Sequence, residues 1–319
     1  MGAIRVWVPL LTAAMLSLPA ASSSISVAAG PEQIRMNEPF AVAFGRGGEW
    51  FILEHKGRRI VHVSKDGQFT PFAGAEAAIR AGFNDPHGLL ATRDGSALYV
   101  ADTLNHQIHR IDLRSRTIAL VAGTGEKGYS GDNGPALKAT FNGTFAAALD
   151  PGETTLYVAD LGNRRIRAIN LKTGIVITVA GDAGNPLVDP RAVAVDSKGV
   201  VYILERGGNA LRALDRKGVM RTLIAPNQTT PPLKGPKHLC LDSDDNVIIA
   251  DTENHIIRRF NPRDGSMATI AGSGAKGSHV DPADPLKTDL NRPHGVAFSP
   301  SGDLYISDSD NHRILKLSR

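Results

Sequence analysis

The sequence predicts an all-β chain folded as a six-bladed β-propeller, with four antiparallel strands per blade. Three observations carry that expectation. A phrase of strand, acidic residue, tight turn and second strand recurs six times. The recurrences are spaced as propeller blades are, and a segment near the start matches the one strand that the last recurrence lacks.

The phrase reads LYVADTLNHQI at Leu98–Ile108, LYVADLGNRRI at Leu156–Ile166, VIIADTENHII at Val247–Ile257 and LYISDSDNHRI at Leu304–Ile314. Looser copies are FILEHKGRRI (Phe51–Ile60) and YILERGGNAL (Tyr202–Leu211). Each is a strand, a polar turn and the start of a second strand; these are strands b and c. Strand a precedes them and opens after a Pro, as in Pro86-His87-Gly88-Leu89. Strand d ends in Val-Ala-Gly or close to it, at Val121–Gly123, Val179–Gly181 and Ile270–Gly272. No window holds a sustained 3.6-residue apolar period, which excludes helical repeats.

The strand-a Pro positions are 39, 86, 144 (a Thr), 190, 236 and 293, giving steps of 47, 58, 46, 46 and 57 residues. Positions 39 and 190, 86 and 236, and 144 and 293 lie 151, 150 and 149 residues apart, so the chain is two tandem runs of three blades. It ends after strand c of blade 6. The missing strand d is supplied by SISVAAG, Ser24–Gly30, which closes the ring and removes an open sheet edge. One propeller domain over 24–319 follows.

The 319 residues suffice for a large core, and a net charge of +4 is too mild to mark a nucleic-acid footprint. Met1–Leu18 has Arg5 as its single charge and an apolar run from Val6, with small residues Ala20–Ser24 behind it. This is the pattern of an export signal over residues 1–23, too short for a comfortable membrane span. Cys240 is the sole cysteine; an intrachain disulfide and a cysteine metal cluster are excluded, and an inert core thiol is expected.

The blade phrase, with Asp-x-x-Asn-His/Arg-x-Ile and the terminal Val-Ala-Gly, resembles the NHL repeat family over nearly the whole mature chain. The loop GTGEKGYSGDNGPA, Gly123–Ala136, is similar to loops of exported bacterial members. The resemblance implies the fold. It leaves function open, because that family includes binding scaffolds and enzymes alike.

Several motifs take plain readings. Gly123-x-Gly125-x-x-Gly128 and Gly272-x-Gly274-x-x-Gly277 match a dinucleotide fingerprint, but Gly131, Gly134 and Pro135 forbid the helix that must follow. Asp132, Asp281, Asp284 and Asp289 lack the spacing of a calcium loop. Arg58, Arg59, Arg164, Arg165, Arg167, Arg258 and Arg259 on the third strands read as a solvated charged face. Asp102, Asp160, Asp251 and Asp308, with Asn105, Asn163, Asn254 and Asn311, recur in blade after blade. They read as structural groups accepting backbone N–H bonds in the b–c turn.

Functional candidates are therefore the residues that break the repeat at the channel mouth. The side chain after each strand-a Pro position is Phe40, His87, Phe145, Arg191, Lys237 or His294, and Glu54 and Glu205 end strand b on opposite blades. Cations converging with aromatic rings fit an anionic or carboxylate-bearing small ligand. The long loops Gly123–Asn142 and Gly272–Asn291 are expected as opposed walls beside that pocket. Pro86-His87-Gly88-Leu89 and Pro293-His294-Gly295-Val296 resemble strand starts of peptidylglycine amidating lyases, where three histidines hold zinc. Here the third place is Arg191, which cannot ligate a metal, and His238 is one residue late. The expectation is an exported, periplasmic or secreted, monomeric binding or scaffold module. Its partner is a small anion or a protein or peptide, with no nucleic acid and no membrane span. No cofactor is assigned, zinc and calcium being left open. The alternative is a lactonase-like hydrolase or lyase at the mouth.

Overall fold

The computed structural model describes residues 23–318, arranged as six antiparallel blades. Strands a to d are Pro39–Phe44, Trp50–Glu54, Arg59–Val63 and Phe69–Gly74 in blade 1, and Gly88–Ala91, Ala97–Asp102, Gln107–Asp112 and Thr117–Ala122 in blade 2. Blade 3 has Thr144–Leu149, Thr155–Asp160, Arg165–Asn170 and Ile175–Ala180; blade 4 has Pro190–Val195, Val201–Glu205, Ala210–Leu214 and Met220–Ile224. Blade 5 has His238–Leu241, Val247–Asp251, Ile256–Phe260 and Met267–Ala271. Blade 6 has Pro293–Phe298, Leu304–Asp308 and Arg313–Ser318, and takes Ser24–Ala29 as its outer strand, with Ile25 opposite Leu317 and Val27 opposite Leu315. The ring closes as the repeat predicts. The export signal lies, but for its last residue, outside the described residues.

The b strands of blades 1, 2, 4 and 5 are buried from end to end, because both faces pack against neighbouring blades. That is why they read as unbroken apolar runs. The carboxylate that ends each b strand organises the top of its blade. Asp102, Asp160, Asp251 and Asp308 accept the backbone N–H of Asn84, Asn142, Lys234 and Asn291 at 2.7–2.8 Å. The donors belong to the loop arriving from the previous blade, not to the b–c turn itself. The turn amides of Asn105, Asn163, Asn254 and Asn311 each bond the same carboxylate at 2.8 Å.

The third-strand arginines depart from the sequence expectation. Arg167 and Arg258 are buried, not solvated, and pair with Asp160 (3.5 Å) and Asp251 (2.8 Å). Strand alternation turns these positions onto the carboxylate of the same blade, where a buried charge requires a counter-charge. Burial still pushes the Asp160, Asp251 and Asp308 carboxyls upward. Arg58 and Arg164 are exposed as expected.

The long loops touch the b–c turns of the following blade, where Gly128 and Gly277 O accept the Asn163 and Asn311 side-chain amides at 2.7 Å, and they also reach past those turns. Each runs over the outer edge of the following blade. Gly134–Pro135 pairs with Ile175 and Val176 of strand d in blade 3, and Pro282 accepts the Ile25 N–H on the outer strand of blade 6. They cover edge backbone groups that would otherwise face solvent. Asp132, weighed as a calcium ligand, holds Arg167 at 2.9 Å.

Candidate binding site at the channel mouth

One local device puts six side chains at the mouth. The residue before each strand a has positive φ: Glu38 (50°), Asp85 (55°), Gly143 (81°), Asp189 (55°), Gly235 (52°) and Arg292 (50°). Pro follows in five blades. In blades 1, 3, 4 and 6 the a–b register then slips, between Pro39 and Ala41, Thr144 and Ala147, Pro190 and Ala192, and Pro293 and Gly295. A bulge frees a side chain from the alternation and re-aims it. Here the freed residues include Phe40, Phe145, Arg191 and His294. Glycine is the inexpensive residue at positive φ, and a side chain there costs roughly 1–2 kcal/mol. Two blades use glycine; four present a charged side chain in spite of the strain.

The turn histidines set this rim from below. Nδ1 of His106, His255 and His312 accepts the N–H of Gly143, Arg292 and Glu38, the rim residue of the next blade, at 3.0, 3.1 and 3.3 Å. In blade 4, Asn209 does the same for Gly235 at 2.8 Å. The Asn-His phrase is thus a link between blades as well as a turn.

The mouth residues pack as one cluster. The Phe40 ring lies 4.7 Å from that of His87, 5.0 Å from His294 and 6.0 Å from Phe145. His87 and Phe145 are 3.9 Å apart, and the Arg191 guanidinium sits 3.5 Å over the Phe145 ring. Lys237 Nζ meets His294 Nε2 at 2.6 Å. Phe40, His87, Phe145, Lys237 and His294 are all buried. The structure therefore gathers six of the eight predicted site residues.

Glu54 and Glu205 are not among them. Glu54 accepts from Arg59 Nε at 3.0 Å and Asn37 N–H at 3.3 Å; Glu205 accepts from Val188 N–H at 2.8 Å and pairs with Arg212 at 3.7 Å. They perform the structural task of the b-strand aspartates. His238, half-buried, is drawn down to about 4 by desolvation, with Nδ1 accepting from the Val296 N–H at 3.4 Å. Cys240 is a free thiol pushed upward by burial.

The electrostatics divide the mouth. Among the described residues no carboxylate lies within ion-pair distance of Arg191 or Lys237. Burial, then the charges of Arg206 and Arg292, bring Arg191 down to about 9, still cationic at neutral pH. Burial, then Arg292 and Arg191, bring Lys237 to about 7. Burial first, then Lys237, keeps His294 far below the usual imidazole range, and its Nδ1 has no partner among the described residues. His87 is likewise held low, by burial before Arg191. The imidazoles are neutral mainly because they are dry.

On the opposite side the structure adds His55, with Asp85 and Glu38 as its partners, none of them singled out by sequence reasoning. His55 Nδ1 lies 2.9 Å from Asp85 Oδ1, its Nε2 meets Glu38 Oε2 at 3.0 Å, and its ring is 4.6 Å from His87. Its signal was present: Leu-Glu-His in the blade 1 phrase, where blade 2 has Ala-Asp-Thr. An open groove of about 1280 Å³ also lies over blade 1, lined by Arg35, Glu54, Lys56 and Arg59 among others. Its Glu54 and Arg59 satisfy each other, and its Lys56 lies 3.5 Å from Asp85.

Comparison with known proteins agrees with this architecture. The NHL repeat matches residues 233–260 and 290–317. NHL repeat-containing protein 2 of Gallus gallus is 23% identical over 335 residues, covering 86% of this chain and 46% of that protein. The chain spans less than half the length of the curated relatives it matches. An auxiliary nutrient binding protein from Bacteroides ovatus superposes with a TM-score of 0.70 at 14% identity, over 93% of this chain and 76% of the other. A streptogramin B lyase superposes at 0.64 and 14% identity, over 93% and 97%. At such identities the structural likeness speaks for the fold alone. Repeat phrase and ring closure make this chain a six-bladed β-propeller, and the family match places NHL repeats in its last two blades.

Proposed function

We propose that the chain binds a small anionic or carboxylate-bearing molecule at the channel mouth. The observation that carries this reading is the pair of mouth cations, Arg191 and Lys237, left without a carboxylate partner among the described residues. Buried charges are normally paired, so cations held this way are suited to a counter-charge that arrives with a ligand. Phe145 and Phe40 supply the apolar wall, and a guanidinium offers bidentate geometry to a carboxylate. The nutrient-binding neighbour is in keeping with a binding role. Export forms part of this reading and rests on the apolar run Val6–Leu18; N-terminal sequencing of the mature protein checks it, and retention of Met1 overturns it.

Binding should draw a proton onto Lys237, because an anion restores the charge that burial suppresses. Near pH 8, calorimetry in buffers of different ionisation enthalpy should register proton uptake with a panel of carboxylates and phosphates. Arg191→Met should weaken binding at least 10-fold at every pH, and Lys237→Met should abolish the uptake. The absence of binding across the panel, or binding indifferent to both substitutions, overturns the proposal. A second reading, a lactonase-like hydrolase or lyase, is favoured by one feature. A lysine brought to about 7 is poised as a general base near neutral pH. Lactone turnover lost in Lys237→Met would move it ahead.

A further inference from the structure

We propose that His55, Asp85 and His87 form a binding site for a divalent transition metal ion of the zinc class. One ligand atom from each residue lies within 4.8 Å of the other two, at the junction of blades 1 and 2. The three come from separate places: the b–c turn of blade 1, the positive-φ rim position before Pro86, and the start of strand a in blade 2. The set shares only His87 with the arrangement of three strand-a histidines. His294, the other strand-a histidine, is engaged by Lys237, and the Phe40 ring contacts both imidazoles.

The outer contacts argue for a metal more than the inner ones. A metal-ligating histidine ordinarily gives its far nitrogen to a carboxylate or another acceptor, which fixes tautomer and ring orientation. Both histidines have such a partner. His55 Nε2 meets Glu38 Oε2 at 3.0 Å, and His87 Nδ1 meets Thr103 Oγ1 at 2.9 Å. That leaves His55 Nδ1 and His87 Nε2 as donors, with the Asp85 carboxylate already 2.9 Å from the former. Two imidazoles and one carboxylate form a catalytic-type zinc set, with a fourth position left open. Ligand atoms around tetrahedral zinc sit about 3.3 Å apart, given bonds of about 2.0 Å. The cluster must therefore contract by at most about 1.5 Å. Asp85, partly exposed on the rim, has room to move.

The competing account is a purely structural network, His55 bridging two carboxylates. The test is calorimetric titration of chelator-treated whole chain with Zn²⁺, and with Co²⁺ followed by visible absorption. We expect one ion per chain with a dissociation constant below about 10 μM, and a cobalt spectrum of tetrahedral intensity. His55→Ala and His87→Ala should each weaken binding at least 100-fold while the variants melt cooperatively. Glu38→Gln should weaken it about 10-fold, as outer partners do. Failure to bind near 1:1, or binding unaffected by either histidine substitution, overturns the site. Arg191 and Lys237 lie across the mouth and do not take part, so loss of the metal site leaves the anion reading standing.

Discussion

The two halves of the ring share a skeleton and differ at their mouths. Blades 1 to 3 present Phe40, His87 and Phe145, backed by Glu38, Asp85 and His55; blades 4 to 6 present Arg191, Lys237 and His294, backed by Arg206 and Arg292. The b-strand carboxylate and the long outer loop repeat across the duplication, but the third-strand cation does not keep its register: Asp160 pairs with Arg167, whereas Asp308 pairs with Arg313, which stands where blade 3 has Arg165. Packing holds the carboxylates alike, since each must satisfy the same loop N–H. The first side chain of strand a has no such loop N–H to satisfy. It is free to diverge, and here one side became acidic and imidazole-rich while the other became cationic. A propeller acquires an asymmetric site by changing a few bulge and rim residues and leaving the sheets alone.

The halves also differ in how they finish. Blade 3 completes itself with Ile175–Ala180; blade 6 depends on Ser24–Ala29 from the far end of the chain. The largest expected effect follows from breaking that asymmetry. Deleting Ser24–Gly30 uncovers the Arg313–Ser318 strand, exposes buried Ile25 contacts and removes the partner of the loop at Pro282. Loss of a fully buried isoleucine alone costs about 2–5 kcal/mol. Thermal and urea melts of the deleted protein should lose cooperativity or shift down by more than 10 °C, for a loss of several kcal/mol, and light scattering should show association through the open edge. A monomer that melts like the parent sinks the closure argument.

The repeat made the skeleton legible, because every blade restates the same requirement. Strand order, closure and the six strand-a side chains followed from the Pro positions and the Val-Ala-Gly endings. The site was only half legible. Glu54 and Glu205 broke the repeat in letter but not in chemistry, since a longer carboxylate accepts the same loop N–H. His55 and Asp85, 30 positions apart, meet only because a b–c turn and the next d–a loop share one face. The burial of Arg167 and Arg258 was hidden for a related reason: exposure of a third-strand residue depends on which loop folds over it, and the arriving loops place the Ser130 and Pro231 carbonyls on these two guanidiniums.

The smaller effect sharpens the electrostatic difference between halves. Lys237 in the folded protein titrates near 7, below its ordinary 10.5, because it is dry and faces Arg292 and Arg191; Glu253 opposes this, and Arg206 adds to it. Below pH 7 both folded and unfolded chains hold that proton. Between about 7 and 10.5 the unfolded chain keeps it and the folded chain does not, so raising pH favours the folded state across that window. Its counterpart in the first half, His87, is held well below 6.5, mainly by burial. Its window therefore lies on the acid side and leaves the alkaline range clear. Tyr202 and Cys240, both pushed upward by burial, act in the opposite sense at high pH, so the parent's profile alone does not isolate the lysine. The difference between parent and Lys237→Met does. At pH 6 the parent should be the less stable of the two, and urea melts should show the gap narrowing steadily from pH 7 to 10. The same comparison with His87→Gln should stay flat over that range. A Lys237→Met gap that does not change with pH would mean that the lysine finds a counter-charge in the folded protein, and the cationic half of the mouth would then need no ligand to complete it.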